Sequence, residues 1–267
     1  MTLVLKLRQH PPHRLDLSAI VPLVMVGKSE REIAALPIGT TRERVTIGDM
    51  FALVHGRAGT IVFEGGSDRL DRIGADLTLG EIHVEGVVGM AAGRGMRSGL
   101  LAIAGDAGPY AGSGMTGGRL EIGGNVGERL GGPLAGEMAG MKGGLIVVRG
   151  NADARAGDRM RRGTIVVEGD AGDYAGARMI AGTLVVAGRT GALPGYLQRR
   201  GTLVLGAGAE LPPGFLDCGP GDLVFQHLFA QMLWHDSARA AALLRGRLRR
   251  FAGDQAVLGK GEIFLAE

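Results

Sequence analysis

A glycine opens a segment at Gly80 and again at Gly99, Gly118, Gly144, Gly163, Gly182 and Gly201. The steps between them are 19, 19, 26, 19, 19 and 19 residues, and a weaker copy opens 21 residues before Gly80, at Gly59. The step of 26 is one period plus seven, so a single insertion sits inside the third full repeat. Recurrence at a fixed period of this size is the signature of stacked units, each unable to bury its apolar face alone.

Positions within the repeat have fixed characters. The second and fourth residues after the opening glycine are large and apolar in every copy: Ile61 and Phe63, Ile82 and Val84, Leu101 and Ile103, Leu120 and Ile122, Ile146 and Val148, Ile165 and Val167, Leu184 and Val186, Leu203 and Leu205. That alternation describes a strand with one buried face. The sixth residue is glycine at Gly65, Gly86, Gly105, Gly124, Gly150, Gly169 and Gly188, and ends the strand. Glycine returns at the thirteenth position, and Met96, Met115, Met141, Met160 and Met179 each stand three residues before the next opening glycine.

A strand of about five residues followed by a dozen glycine-punctuated ones lacks the return strand of a hairpin and the helix of a βαβ crossover. The solution left is an all-β solenoid, a right-handed parallel β-helix with coils of about 19 residues, whose equivalent side chains stack in ladders roughly 4.8 Å apart. Glycine is expected at the bends, where a positive φ excludes a Cβ, and the flexible methionines are expected inside. Composition agrees: 49 glycines, against roughly 7% in average proteins, accompany 45% hydrophobic and only 4% aromatic residues. The core is therefore aliphatic.

Three regions follow. Residues 1–58 lack the period and read as an N-terminal cap, with a strand at TLVLKL and a short helix over SEREIAAL, opened by a capping box at Ser29–Glu32 and stopped by Pro37. Residues 59–220 form the β-helix. Residues 221–267 read as a C-terminal amphipathic helix, with Phe225, Leu228, Phe229, Met232, Ala241, Leu244, Leu248 and Phe251 at helical spacing, and a tail ending in a strand. At the third position of the repeat His83, Ala102 and Glu121 give way to Val147, Val166, Val185 and Val204. A row of outward valines needs a cover, supplied either by the C-terminal helix or by a partner subunit.

Chemistry is sparse. A formal charge of +3 argues for neither nucleic acid nor a membrane surface. One cysteine, Cys218, excludes an internal disulfide and suits a reducing, cytoplasmic setting; MTLVLKLRQHPPH is too short in its apolar part for a signal peptide. Gly112-Ser113-Gly114-Met115-Thr116-Gly117 matches a dinucleotide fingerprint but falls inside the repeat. Asp106, Asn125, Asn151 and Asp170 share one position and read as turn residues that hydrogen-bond their own backbone, against a cation- or sugar-binding ladder. His10, His13, His55, His83, His227 and His235 lack metal-ligand spacing, so no metal site and no catalytic residue is expected. Clustered carboxylates of the kind carbohydrate-cleaving enzymes need are missing from the outer positions. The one charged concentration is Arg239, Arg245, Arg247, Arg249 and Arg250, either a solvated helix face or a dock for an acidic partner or polyanionic substrate arm.

The coils resemble the C-terminal β-helix domain of the glutamate synthase large chain and, more closely, the C subunit of formylmethanofuran dehydrogenase. GKSEREIAALPIG (27–39), ERVTIGDMF (43–51) and the enlarged coil GGPLAGEMAGMKGG (131–144) carry the likeness, which covers roughly residues 20–215. Only four of the 30 basic residues are lysine, a composition that tilts towards the bacterial branch, the formyltransferase/hydrolase complex of methylotrophs, over the archaeal tungsten or molybdenum enzyme. That resemblance implies a cytoplasmic structural subunit of one-carbon (formaldehyde) oxidation with no cofactor of its own. Its implied partners are a metal-dependent hydrolase subunit, a formyltransferase subunit and a further dehydrogenase-like subunit. A formyl group would pass from tetrahydromethanopterin to a methanofuran-type carrier and leave as formate. The carrier's glutamate-rich tail would suit Arg245, Arg247, Arg249 and Arg250.

Overall fold

In every repeat the alternating aliphatic pair forms a strand, and successive strands lie side by side. The structure is a computed structural model that describes residues 2–39, 44–54, 59–206, 208–221 and 223–267. The leading segment holds β1 (Leu3–Leu7), β2 (Leu15–Asp16), α1 (Pro22–Met25), α2 (Glu30–Ala34), α3 (Ile47–Met50) and β3 (Phe51–Val54). The repeats supply β4 (Thr60–Glu64), β5 (Leu70–Asp71), β6 (Glu81–Glu85), β7 (Leu100–Ile103), β8 (Thr116–Ile122), β9 (Lys142–Val148), β10 (Arg162–Val167), β11 (Thr183–Val186) and β12 (Arg200–Leu205). The chain closes with β13 (Leu216–Gly221), α4 (Val224–Leu233), α5 (Ala238–Arg245), β14 (Leu248–Ala252) and β15 (Lys260–Ala266).

Thirteen strands form one sheet in the order β13-β14-β15-β12-β11-β10-β9-β8-β7-β6-β4-β1-β3, parallel from β1 through β15. The register steps by one repeat each time: Ile165 lies beside Leu184 and Leu184 beside Leu203. A second parallel line of bridges joins Val88, Ala107, Val126, Ala152, Ala171 and Thr190. The sheet runs past both ends of residues 59–220, since β1 adds a parallel rung before β4 and β15 adds one after β12. Antiparallel β3 and β14 flank those rungs, with β13 beyond β14, and cover edges that would otherwise be open.

The second- and fourth-position side chains and all five repeat methionines are buried in one core. In the leading segment Ser29 caps α2 through the expected reciprocal bonds with Glu32.

Glycine plays two separate parts. Opening glycines such as Gly163 (φ +94°) and thirteenth-position glycines such as Gly176 (φ +70°) have the expected left-handed backbone. The strand-ending glycines from Gly86 to Gly188 do not. There the limit is proximity: a Cβ on Gly169 would lie 2.6 Å from the Gly150 carbonyl oxygen and 2.3 Å from Asn151 Oδ1. Left-handed backbone also occurs at non-glycine residues that share one position, Ala91, Tyr110, Arg129, Arg155, Tyr174 and Leu193. Each such residue costs about 1–2 kcal/mol. Hydrogen bonds to the following repeat oppose that cost, as in Tyr110 N to Glu128 O at 2.9 Å and Tyr174 N to Ala192 O at 2.8 Å.

The C-terminal region departs from expectation. A single helix over 222–252 is replaced by α4, a turn, α5 and the strand β14. Ser237 accepts a bond from Ala240 N at 3.1 Å and so starts a new helix, and Gly246 ends it. Leu248 to Ala252 then pair antiparallel with β15. The two helices lie over the valine row: Val166, Val185 and Val204 form a second core with Phe229, Leu233, Ala240, Ala241, Leu244 and Phe264. The chain is thus its own cover. Arg119, which ion-pairs with Asp236, and Ser237 Oγ, which donates to Glu168 at 2.6 Å, pin the helices to the strands.

Replacing Gly169 by Ala should lower stability by about 1–3 kcal/mol or more, because backbone must move to admit the methyl group. Gly59→Ala, with no atom of the described residues beyond its chain neighbours within 4 Å of its Cβ and no positive φ, should be neutral or slightly stabilising. Urea unfolding of both variants checks this; equal losses would contradict the proximity argument.

Candidate functional site

The arginines singled out near the C-terminus sit on three kinds of backbone and do different things. Arg245 is the last residue of α5 and stacks over the Trp234 ring, 4.9 Å from its centroid. Arg247 is exposed in the link to β14. Arg249 holds Asp217 with bonds of 2.6–3.0 Å and reaches Glu267 at 3.5 Å. Arg250 meets Glu262 at 3.3 Å. The hydrogen bonds from Arg249 keep the Asp217 carboxyl below its ordinary range. Of these, Arg245 and Arg247 line a common concavity, of about 450 Å³, beside Gln226, Leu244 and Glu267. Arg239 is exposed on α5. Adjacent strand residues face opposite ways, which separates Arg249 from Arg250.

A second concavity lies where the repeat is enlarged, a place that residue types alone do not mark. The seven extra residues leave the stack after Gly131 and return where Met141 N bonds to Gly131 O at 2.6 Å. Glu137, within this excursion, accepts from Leu134 N at 3.0 Å and from Arg94 at 2.7 Å. The Arg94 hydrogen bond holds the Glu137 carboxyl below its ordinary value. Arg72, Asp76, Arg94, Glu137, Lys142 and Arg161 line a hollow of about 530 Å³. An adjoining hollow brings Arg14 within 3.1 Å of Asp71, whose carboxyl burial pushes up. The break in period is the only sequence signal for this place.

The Asn/Asp column is a ladder between repeats. Asn125 N donates to Asp106 Oδ1 at 2.6 Å, Asn151 N to Asn125 Oδ1 at 2.9 Å, Asp170 N to Asn151 Oδ1 at 2.8 Å and Arg189 N to Asp170 Oδ1 at 2.8 Å. The acceptors serve the next repeat's backbone, not their own turns. Of the histidines, His83 pairs with Glu81 and His10 bonds Ser67, while His227 lies on α4 and His235 in the turn after it, so the two do not share a helix. His13 stands in a bend of the leading segment, and His55 lies outside the described residues. Among the described residues no three His, Cys, Asp or Glu side chains stand together as a metal site, and no helix is long and apolar enough to cross a membrane. The Gly112–Gly117 segment runs into β8, with no helix after it. Cys218 is exposed on β13.

A long ladder of parallel strands, with two helices packed on one of its faces, defines a repeat-built, strand-rich protein. No family model matches the chain. The C subunit of the formyltransferase/hydrolase complex Fhc of Methylorubrum extorquens is 50% identical over 85 residues, a stretch that spans 32% of this chain and 32% of that protein. A chain in the X-ray crystal structure of the formyltransferase/hydrolase complex (FhcABCD) from Methylorubrum extorquens, in complex with methylofuran, is 49% identical with a TM-score of 0.95, covering 99% of each chain. The chain belongs to the family of C subunits of formyltransferase/hydrolase complexes.

The Arg94–Glu137 pair gives a pH test. Because the folded carboxyl titrates below its ordinary 4.5, its contribution is present above that value and is lost as pH falls through the folded one. Glu137→Gln should therefore lower the urea midpoint at pH 7, and the difference from the parent should narrow by pH 3. A difference independent of pH would contradict the assignment.

Proposed function

We propose that this chain is the non-catalytic structural subunit of a formyltransferase/hydrolase complex that converts formyl-tetrahydromethanopterin to formate through a formylated methanofuran-type carrier. The observation that carries this reading is the match at 49% identity over 99% of a chain from such a complex. The parallel sheet and the second line of bridges are two walls of a right-handed β-helix, the hand that parallel crossovers adopt. Its walls are rigid because each rung is bonded to the next, which suits a scaffold on which a metal-dependent hydrolase subunit, a formyltransferase subunit and a dehydrogenase-like subunit dock. Metal and transfer chemistry belong to those partners, in the cytoplasm.

The valine row does not support docking, since α4 and α5 cover it. Support comes from the outer side of α4, where Val224, Leu228 and Met232 recur every four residues and are 57–75% exposed. Such a stripe suits burial against another subunit. For the carrier, Arg245 and Arg247 at their shared concavity are the residues left to meet a polyanionic arm, because Arg249 and Arg250 already hold carboxylates.

Affinity purification of the tagged chain from its native host should bring down the other subunits, and the eluate should release formate from formyl-tetrahydromethanopterin. The isolated chain should release none. Recovery of the chain alone, or turnover by the chain alone, would overturn the reading.

A further inference from the structure

One edge of the stack carries a row of cations that form no ion pair among the described residues. Arg97, Lys142, Arg161 and Arg199 each stand two residues before an opening glycine; Arg162 and Arg200 stand one before, and Lys260 one before Gly261. Register joins them: Arg162 lies beside Lys142, Arg200 beside Lys260 and Gly201 beside Gly261. All seven side chains are exposed. None forms an ion pair or side-chain hydrogen bond among the described residues, whereas Arg94, Arg119, Arg149, Arg178 and Arg249 each hold a carboxylate. Carboxylates close to the row are already taken. Glu137, near Lys142, holds Arg94, and Glu262, near Lys260, holds Arg250. Asp76 lines the same hollow as Lys142 and Arg161 without pairing with either.

From the rung of Gly99 to that of Gly261 the row spans about 29 Å, at roughly 4.8 Å per rung. Lys142 and Arg162, and Arg200 and Lys260, are register neighbours, while the rungs of Gly118 and Gly182 carry Thr116 and Ile180 at this edge. Like charges on neighbouring rungs repel one another, and a partner that brings carboxylates relieves the repulsion. Five of the seven are arginine, the cation enriched in protein interfaces. No aromatic side chain interleaves these two positions, as stacking on single-stranded nucleic acid would need. We propose that this row seats an acidic face of a partner polypeptide within the complex. The inference rests on the subunit reading above and adds where, and by what chemistry, one partner is held.

The four lysines of the chain make the test possible. The intact complex, isolated from the native host and treated with nuclease, is acetylated with an N-hydroxysuccinimide ester, and each lysine is quantified by mass spectrometry. Lys142 and Lys260 should react at least about tenfold more slowly than the exposed Lys6, and high salt should narrow the gap. In parallel, R161E/R200E should lower retention of the chain by its partners at least about tenfold at 0.15 M salt. R31E/R239E, an equal change of charge elsewhere, should be retained. If partners co-purify but Lys142 and Lys260 react as fast as Lys6, the row is open and the inference falls while the subunit reading stands. Full retention of R161E/R200E, or protection that nuclease abolishes, overturns it likewise. A chain recovered without partners overturns the subunit reading itself.

Discussion

From Gly105 to Gly188, the amide of each strand-ending glycine donates to the carbonyl of its counterpart one repeat earlier. Gly105 bonds Gly86, Gly124 bonds Gly105, Gly150 bonds Gly124, Gly169 bonds Gly150 and Gly188 bonds Gly169, every one at 3.0 Å. That column depends on the absence of a side chain, since a Cβ at any of these positions would lie within 3 Å of the backbone beneath. The Asn/Asp ladder runs beside it and ties neighbouring repeats a second time. With the backbone satisfied by its neighbours, side chains are free to divide between interior and surface. Buried backbone groups demand this accounting, and here it is met repeat by repeat.

That division sets what the molecule can offer. Inside, aliphatic pairs and methionines fill one continuous core. Outside, each repeat position becomes a straight column, and a column takes the character of its residues. Val166, Val185 and Val204 in three consecutive repeats make an apolar wall, and the chain spends its own α4 and α5 on covering it. Arginines and lysines before the opening glycines make a basic edge that is exposed among the described residues. A scaffold is built from such columns, because a partner can be matched to a row more readily than to a scatter of loops.

The period and the strand face were open to reading because Ile165, Val167 and their equivalents repeat without exception. Gly169 was harder. Glycine signals both positive φ and close approach, and only the folded backbone shows that the second applies there. The left-handed backbone at Tyr110 and Arg155 left no trace in residue type, since inter-repeat hydrogen bonds and not local preference impose it. In the C-terminal region Leu244, Leu248 and Phe251 fit a helical period, yet Ser237 and Gly246 break it, and Leu248 alternates with its neighbours as a strand. The Arg cluster was visible as composition, but the pairings of Arg249 with Asp217 and of Arg250 with Glu262 join residues far apart in the chain. Arg94 and Glu137, 43 residues apart, were invisible for the same reason.

In-register stacking of repeats is the claim on which the rest stands, and cross-linking tests it directly. Thr164 and Thr183 are register partners on β10 and β11, and a disulfide needs Cα atoms about 4.4–6.8 Å apart. In a Cys218→Ser background, Thr164→Cys with Thr183→Cys should oxidise to an intramolecular bridge in the folded protein. Thr164→Cys with Leu184→Cys, where the second side chain points into the core, should stay reduced. A bridge in the shifted pair, or none in the aligned pair, would contradict the stack.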